Sequence, residues 1–125
     1  MIKKLDWSKD NIVAYEASGV ISKQEHEIFF SELAGLIAKY DKLRIFVRLP
    51  KIAWPSIDSI PLRFSFSRKF IGKIDRYAVV SNSKILPWVI DVADGIFSLF
   101  TQARYRHYCF DDEIMARTWL EAKHT

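Results

Sequence analysis

Leu43-Arg44-Ile45-Phe46-Val47-Arg48-Leu49 is the stretch from which the fold is read. Successive side chains of an extended strand point to opposite faces. Leu43, Ile45, Val47 and Leu49 therefore share one face, and Arg44, Phe46 and Arg48 the other. Pro50 closes the strand. On its N-terminal side Ser22 stands three residues before Glu25, the capping-box spacing in which a hydroxyl and a carboxylate satisfy the free amides of a helix start. The helix this opens runs to about Lys39, with Phe29, Leu33, Leu36, Ile37 and Tyr40 as its apolar stripe. Further upstream, Leu5 and Trp7 alternate with Lys4, Asp6 and Ser8, and Lys9-Asp10-Asn11 turns the chain into Ile12–Ala17. This is a hairpin signal, and Ser18-Gly19 ends it.

Downstream, residues 50–61 form a loop carrying Pro50, Pro55 and Pro61. Pro61 suits the first turn of a helix that extends to about Phe70 and is ended by Gly72. Residues 75–81 contain Tyr77-Ala78-Val79-Val80, an apolar run expected of a strand covered on both faces, which places it at the sheet centre. After Ser81-Asn82-Ser83 the pattern predicts a helix over 85–100, with Pro87 tolerated in its first turn. Residues 104–110 read as a polar-decorated edge strand. Asp111 is expected to cap a last helix, with Glu113 paired to Arg117 and Phe110 stapled onto Met115. The order is strand, strand, helix, strand, helix, strand, helix, strand, helix, an α/β arrangement. A chain of 125 residues holds one such domain, 1–125.

Four phrases carry a family likeness. They are Val13-Ala14-Tyr15-Glu16-Ala17-Ser18-Gly19-Val20-Ile21-Ser22, the strand Leu43-Arg44-Ile45-Phe46-Val47-Arg48-Leu49, Asp75-Arg76-Tyr77-Ala78-Val79-Val80-Ser81 followed by Trp88, and Ala116-Arg117-Thr118-Trp119-Leu120. Together they resemble the SpoIIAA-like proteins, small relatives of the STAS domain. The resemblance implies a mixed five-stranded sheet flanked by about four helices, with a groove that has been compared to lipid-carrying CRAL-TRIO domains. It implies no catalytic signature. Anti-sigma-factor antagonists of the wider family carry a phosphorylatable hydroxyl in an Asp-Ser-Ser/Thr-Gly motif before a helix. Here Asp58-Ser59-Ile60-Pro61 stands at the matching place. Ile60 replaces the second hydroxyl and Pro61 the glycine, so Ser59 and Ser56 read as loop or capping residues and not as phospho-acceptors.

Composition excludes more than it assigns. Half the residues are hydrophobic and 27% are charged, which removes the disordered and fibrous classes. Residues 1–10 hold three lysines and two aspartates and lack the apolar core of a secretory signal. Asp91 and Asp94 interrupt the one long apolar segment, so no stretch spans a bilayer and a cytoplasmic location is expected. Gly19, Gly35, Gly72 and Gly95 lie too far apart for a phosphate loop. No cofactor is expected. With only His26 and His124 as further soft ligands, His107 and Cys109 do not make a metal site, and Cys109 reads as a small core residue. Asp91 and Asp94 mark a solvent face sooner than an acid/base pair. No enzymatic activity is therefore expected.

What remains is binding. The net charge of +4 conceals a central concentration: residues 42–76 hold nine basic and two acidic residues. Scattered over several faces such charges are ordinary solvated surface; gathered on one they attract anions. Helix 85–100 carries more apolar residues than one sheet-facing stripe needs, which predicts a homodimer or protein partner through Trp88, Phe97 and Phe100. The alternative is a carrier or sensor of a small amphipathic anion, a fatty acid or lipid head group. Trp54 and Phe66 would then form the wall, and Lys51, Arg63 and Lys69 the charge. Arg63, Phe66 and Lys69 are read as sharing a helix face from which Arg68 points away. Nucleic acid is not favoured, because helical spacing turns most aromatics of 62–73 into the core.

Overall fold

The computed structural model describes residues 1–50, 53–70, 72–81 and 104–122, with backbone alone at 53–55, 64, 67, 104 and 105. In chain order the elements are β1 (Ile2–Lys4), β2 (Ile12–Ala17), β3 (Gly19–Ile21), α1 (Lys23–Tyr40), β4 (Leu43–Arg48) and β5 (Ala53–Pro55). A 3-10 turn at Ile57–Ser59 leads into α2 (Ile60–Lys69), β6 (Ile74–Val80) and β7 (Arg104–Tyr108). A second 3-10 turn at Phe110–Asp112 opens α3 (Glu113–Glu121). The helix expected over 85–100 lies outside the described residues.

Five strands form one mixed sheet in the order β1-β2-β4-β6-β7. Only β1 runs antiparallel, with Ile2 opposite Ala17; the hairpin is present, but its first strand is Ile2–Lys4 and Asp6–Trp7 form a turn, where the alternation of Leu5 and Trp7 had suggested the strand. The other pairs are parallel, with one register shift between β4 and β6 at Leu43/Arg44, and beyond it Ala14, Phe46, Ala78 and Arg106 form one row across four strands. The middle of the order is β4, and not the strand expected from residues 75–81. An apolar run reports cover on both faces, which β6 has, but not rank in the sheet. In β4 that cover is disguised by Arg44 and Arg48, whose charges are paired beneath α3.

Alternation along the strands divides the interior into two cores. Val13, Tyr15, Ile45, Val47 and Val79 face α1 and α2 together with Phe30, Leu33, Ile37 and Phe66. Ala14, Phe46, Ala78 and Val80 face α3 through Ala116 and Leu120, with Trp7 and Trp119 packed against them. The capping box is present on α1: Ser22 Oγ accepts from the Glu25 amide while the Glu25 carboxylate accepts from the Ser22 amide. Burial pulls the Glu25 carboxyl up, yet the Ser22 groups and the N-terminal ammonium outweigh it and hold the group below its ordinary value. The buried stripe of α1 is His26, Phe30, Leu33 and Ile37, with Phe29 and Leu36 at its margin. Of two adjacent aromatics the inward one is Phe30, because it meets Phe66 of α2 in a stacked pair at 4.3 Å.

Four local expectations are corrected at the C-terminal end. Asp111 lies inside the 3-10 turn, and α3 begins at Glu113 with no side-chain cap from Asp112. Glu113 reaches across to Arg48, while Arg117 lies over the Trp7 ring at 4.3 Å. Met115 is exposed, so Phe110 joins the α3-side core without it. Cys109 is exposed as well, and not a core residue: it falls just past the end of β7, where strand alternation no longer fixes its side. The small parallel pair of β3 and β5 was not legible either, each being only three residues long.

α2 stops where Gly72 takes φ 79°, a left-handed conformation. A Cβ built there meets nothing within 4 Å among the described residues, so only the backbone opposes a side chain. Gly72→Ala is expected to cost roughly 1 kcal/mol, the usual left-handed penalty. A shift of the urea midpoint toward higher stability would contradict that φ.

Candidate functional site

The basic residues of 42–76 are mostly paired with other groups of the protein. Arg44 binds Asp75 at 3.2 Å and donates to the carbonyls of Leu120 and Ala122. Arg76, its neighbour in register, donates to the carbonyls of Trp119 and Ala122. Two arginines from adjacent strands thus hold the last turn of α3, where unpaired carbonyls and the negative end of the helix dipole favour cations. Arg48 forms a two-pronged pair with Glu113, both contacts 2.7 Å, and a longer one with Glu16. Lys73 pairs with Asp41. Arg63 turns inward, its Nη1 3.2 Å from His26 Nε2.

Arg68 and Lys69 remain at the surface, at the C-terminal end of α2. Together with Ile60, Pro61 and Ser65 they line an open cavity of about 790 Å³. At 100° per residue these positions fall within one arc of the helix. The described lining holds two cations, one hydroxyl, two apolar side chains and no carboxylate. Lys69 is steadied by Phe70, whose ring lies 5.4 Å from Nζ.

The sequence-selected residues are distributed differently from their expected grouping. Arg63, Phe66 and Lys69 are separated by what they touch: Arg63 turns to His26 and Phe66 into the core, and of the three Lys69 alone lines the cavity. Phe66 is buried between Phe30 and Phe70. Lys69 reaches the cavity, and so does Arg68, which the spacing had pointed elsewhere. Trp54 lies in β5, beside Val20 of β3. Lys51, Trp88, Phe97 and Phe100 fall outside the described residues, as do Asp91 and Asp94. Ser59 is fully buried and donates to the Ser56 carbonyl at 2.6 Å, an arrangement that withholds its hydroxyl from a modifying enzyme. His107 sits 3.1 Å from the buried hydroxyl of Ser81, at the carboxyl ends of β7 and β6. Sequence reasoning missed the inward position of His26; its spacing of four from Phe30 and seven from Leu33 was the available signal.

Comparison with known proteins agrees with this architecture. A crystal structure of an uncharacterised protein with a SpoIIAA-like fold from Shewanella loihica PV-4 superposes with a TM-score of 0.69 at 18% identity, covering 96% of this chain and 92% of that one. At that identity the likeness speaks for the fold alone. No curated protein matches the chain. The SpoIIAA-like family model matches residues 12–121, from the start of β2 to the end of α3, and the chain therefore belongs to the SpoIIAA-like family.

Proposed function

We propose that this SpoIIAA-like domain is a non-catalytic binding module that takes a small amphipathic anion on the outer face of α2. The observation that carries the reading is the cavity of about 790 Å³ in which Arg68 and Lys69 stand beside Ile60 and Pro61. That size lies within the range of small-molecule sites. A carboxylate or phosphate head would be held by the two cations through charge-assisted hydrogen bonds, and an acyl tail would lie over the apolar pair. Because both cations are exposed, the affinity falls as salt rises.

Calorimetric titration with a medium-chain fatty acid and a lysophospholipid, below their micelle-forming concentrations, tests this. Arg68→Ala and Lys69→Ala are each expected to weaken binding about tenfold, the equivalent of one charged contact. Lys3→Ala, on an exposed part of β1, should leave it unaltered. Binding by neither ligand, or equal binding by all variants, would remove the reading. Self-association through helix 85–100 is a second reading, supported by the apolar excess of that segment. Native mass spectrometry of the same samples separates the two, since a doubled mass supports association and a small adduct supports the carrier.

A further inference from the structure

His26 is 2% exposed on the face of α1 that meets α2. Its Nδ1 lies 2.9 Å from the Ser22 carbonyl and its Nε2 3.2 Å from Arg63 Nη1. A carbonyl can only accept and a guanidinium can only donate. Nδ1 must therefore carry the hydrogen and Nε2 must accept, which makes the ring neutral and fixes its tautomer. A proton added at Nε2 would set two donors and two positive charges against each other at that distance. Burial would leave little solvent to screen them.

The charged groups facing the ring are Arg63 from α2, Glu25 from α1 and Asp58 from the 3-10 turn before α2. Burial holds the imidazole below its ordinary value of 6.5; the Ser22 carbonyl opposes this, Arg63 adds to it, and Glu25 and Asp58 oppose it again. α2 packs on α1 and the turn before it, where Arg63 meets His26 and Phe66 stacks on Phe30, and Phe66 also joins the core shared with the sheet. Loss of the α1 contact removes one of the attachments of α2 and favours local opening there before the domain as a whole unfolds.

We propose that His26 is an acid-sensitive latch, its neutral ring tying α1 to α2 through Arg63, and that protonation loosens α2 while α3 stays closed on the opposite face. The sign follows from linkage. A group whose folded pKa is depressed contributes stability that is complete above its unfolded value of 6.5 and is lost as pH falls through the folded value. The latch stands on the α1–α2 contact and not on what α2 binds, so failure of the ligand titration leaves it untouched.

Hydrogen exchange of the intact protein at pH 7.5 and 5.5, corrected for intrinsic rates, reads the effect. Protection over residues 60–69 is expected to fall at least tenfold more than protection over 113–121. His26→Gln, whose amide keeps one donor and one acceptor without titrating, should abolish that difference and isolates His26 from His107 and His124. Should the variant fail to fold, the NMR titration of the wild-type ring decides. A protonated Nδ1 and a midpoint below 6.5 support the latch; a midpoint at or above 6.5 overturns it. Equal loss of protection in both helices, or an undiminished difference in His26→Gln, also overturns it.

Discussion

Phe46→Ala is expected to destabilise the domain by about 3–5 kcal/mol, the usual range for a buried phenylalanine. Phe46 is fully buried in the middle strand, and its ring meets Trp7 edge to face at 4.8 Å. Its neighbours in register on either side are Ala14 and Ala78. Above them stand Ala116 and Leu120 of α3. Alanines on hydrogen-bonded strands have neither the reach nor the freedom to fill the space left by a ring. The hole persists, and the loss should fall in the upper half of the range. Urea unfolding with an unchanged m-value gives the number directly. Ile114→Ala, at a residue 79% exposed, should stay within about 0.5 kcal/mol. A loss below about 1 kcal/mol for Phe46→Ala would mean that α3 does not close over β4.

That same residue shows what sequence could and could not say about the fold. Alternation over 43–49 put Phe46 on a face with two arginines, which resembles a solvent face with one stray aromatic. The sheet is in fact covered there, and α3 supplies Glu113 and its last carbonyls as partners for those arginines. Periodicity identifies which side chains share a face but not whether a charge on it finds a partner, because the partners come from residues 31 or more positions away. Local signals fared better. The Ser22/Glu25 box, the chain breaks at Gly19 and Gly72 and the start of α2 near Pro61 depend on neighbours within a few residues, and all appear in the structure, both glycines there taking a positive φ.

The site was less legible for the same reason. Nine basic residues between 42 and 76 could have been one electrostatic surface or several, and five of them are paired with other groups of the protein. Arg68 lines the cavity with Lys69, whereas Arg63 is drawn to His26 of α1, a partner 37 positions away that the local spacing of α2 does not reveal. His26 was hidden by its polarity. A buried imidazole becomes inexpensive once both ring nitrogens are satisfied, and its two partners lie on different elements.

Arg48 is the centre of the second large effect. Its guanidinium grips Glu113 at the first residue of α3 and also approaches Glu16 of β2 at 3.5 Å, with all three side chains about a quarter exposed. Glu113 is the first cause of the elevated pKa of Arg48, ahead of the opposing burial, so the strong contact is the one that docks the helix. The two single substitutions should therefore be unequal. Glu113→Gln leaves the guanidinium with Glu16 and an amide oxygen, and should cost about 1 kcal/mol. Arg48→Met leaves two carboxylates on one partly covered face without their cation. The penalty of an uncompensated charge then adds to the lost bonds, for a total of about 2–3 kcal/mol after allowance for solvent screening. Combining them removes one of the stranded charges, so the double variant should cost less than the sum by about 1 kcal/mol. Urea unfolding of the four proteins at low and at moderate salt measures the cycle. Strict additivity, or a larger loss for Glu113→Gln than for Arg48→Met, would show that α3 is held by its apolar face and by Arg44 and Arg76 at its far end, with the Arg48 pair a bystander.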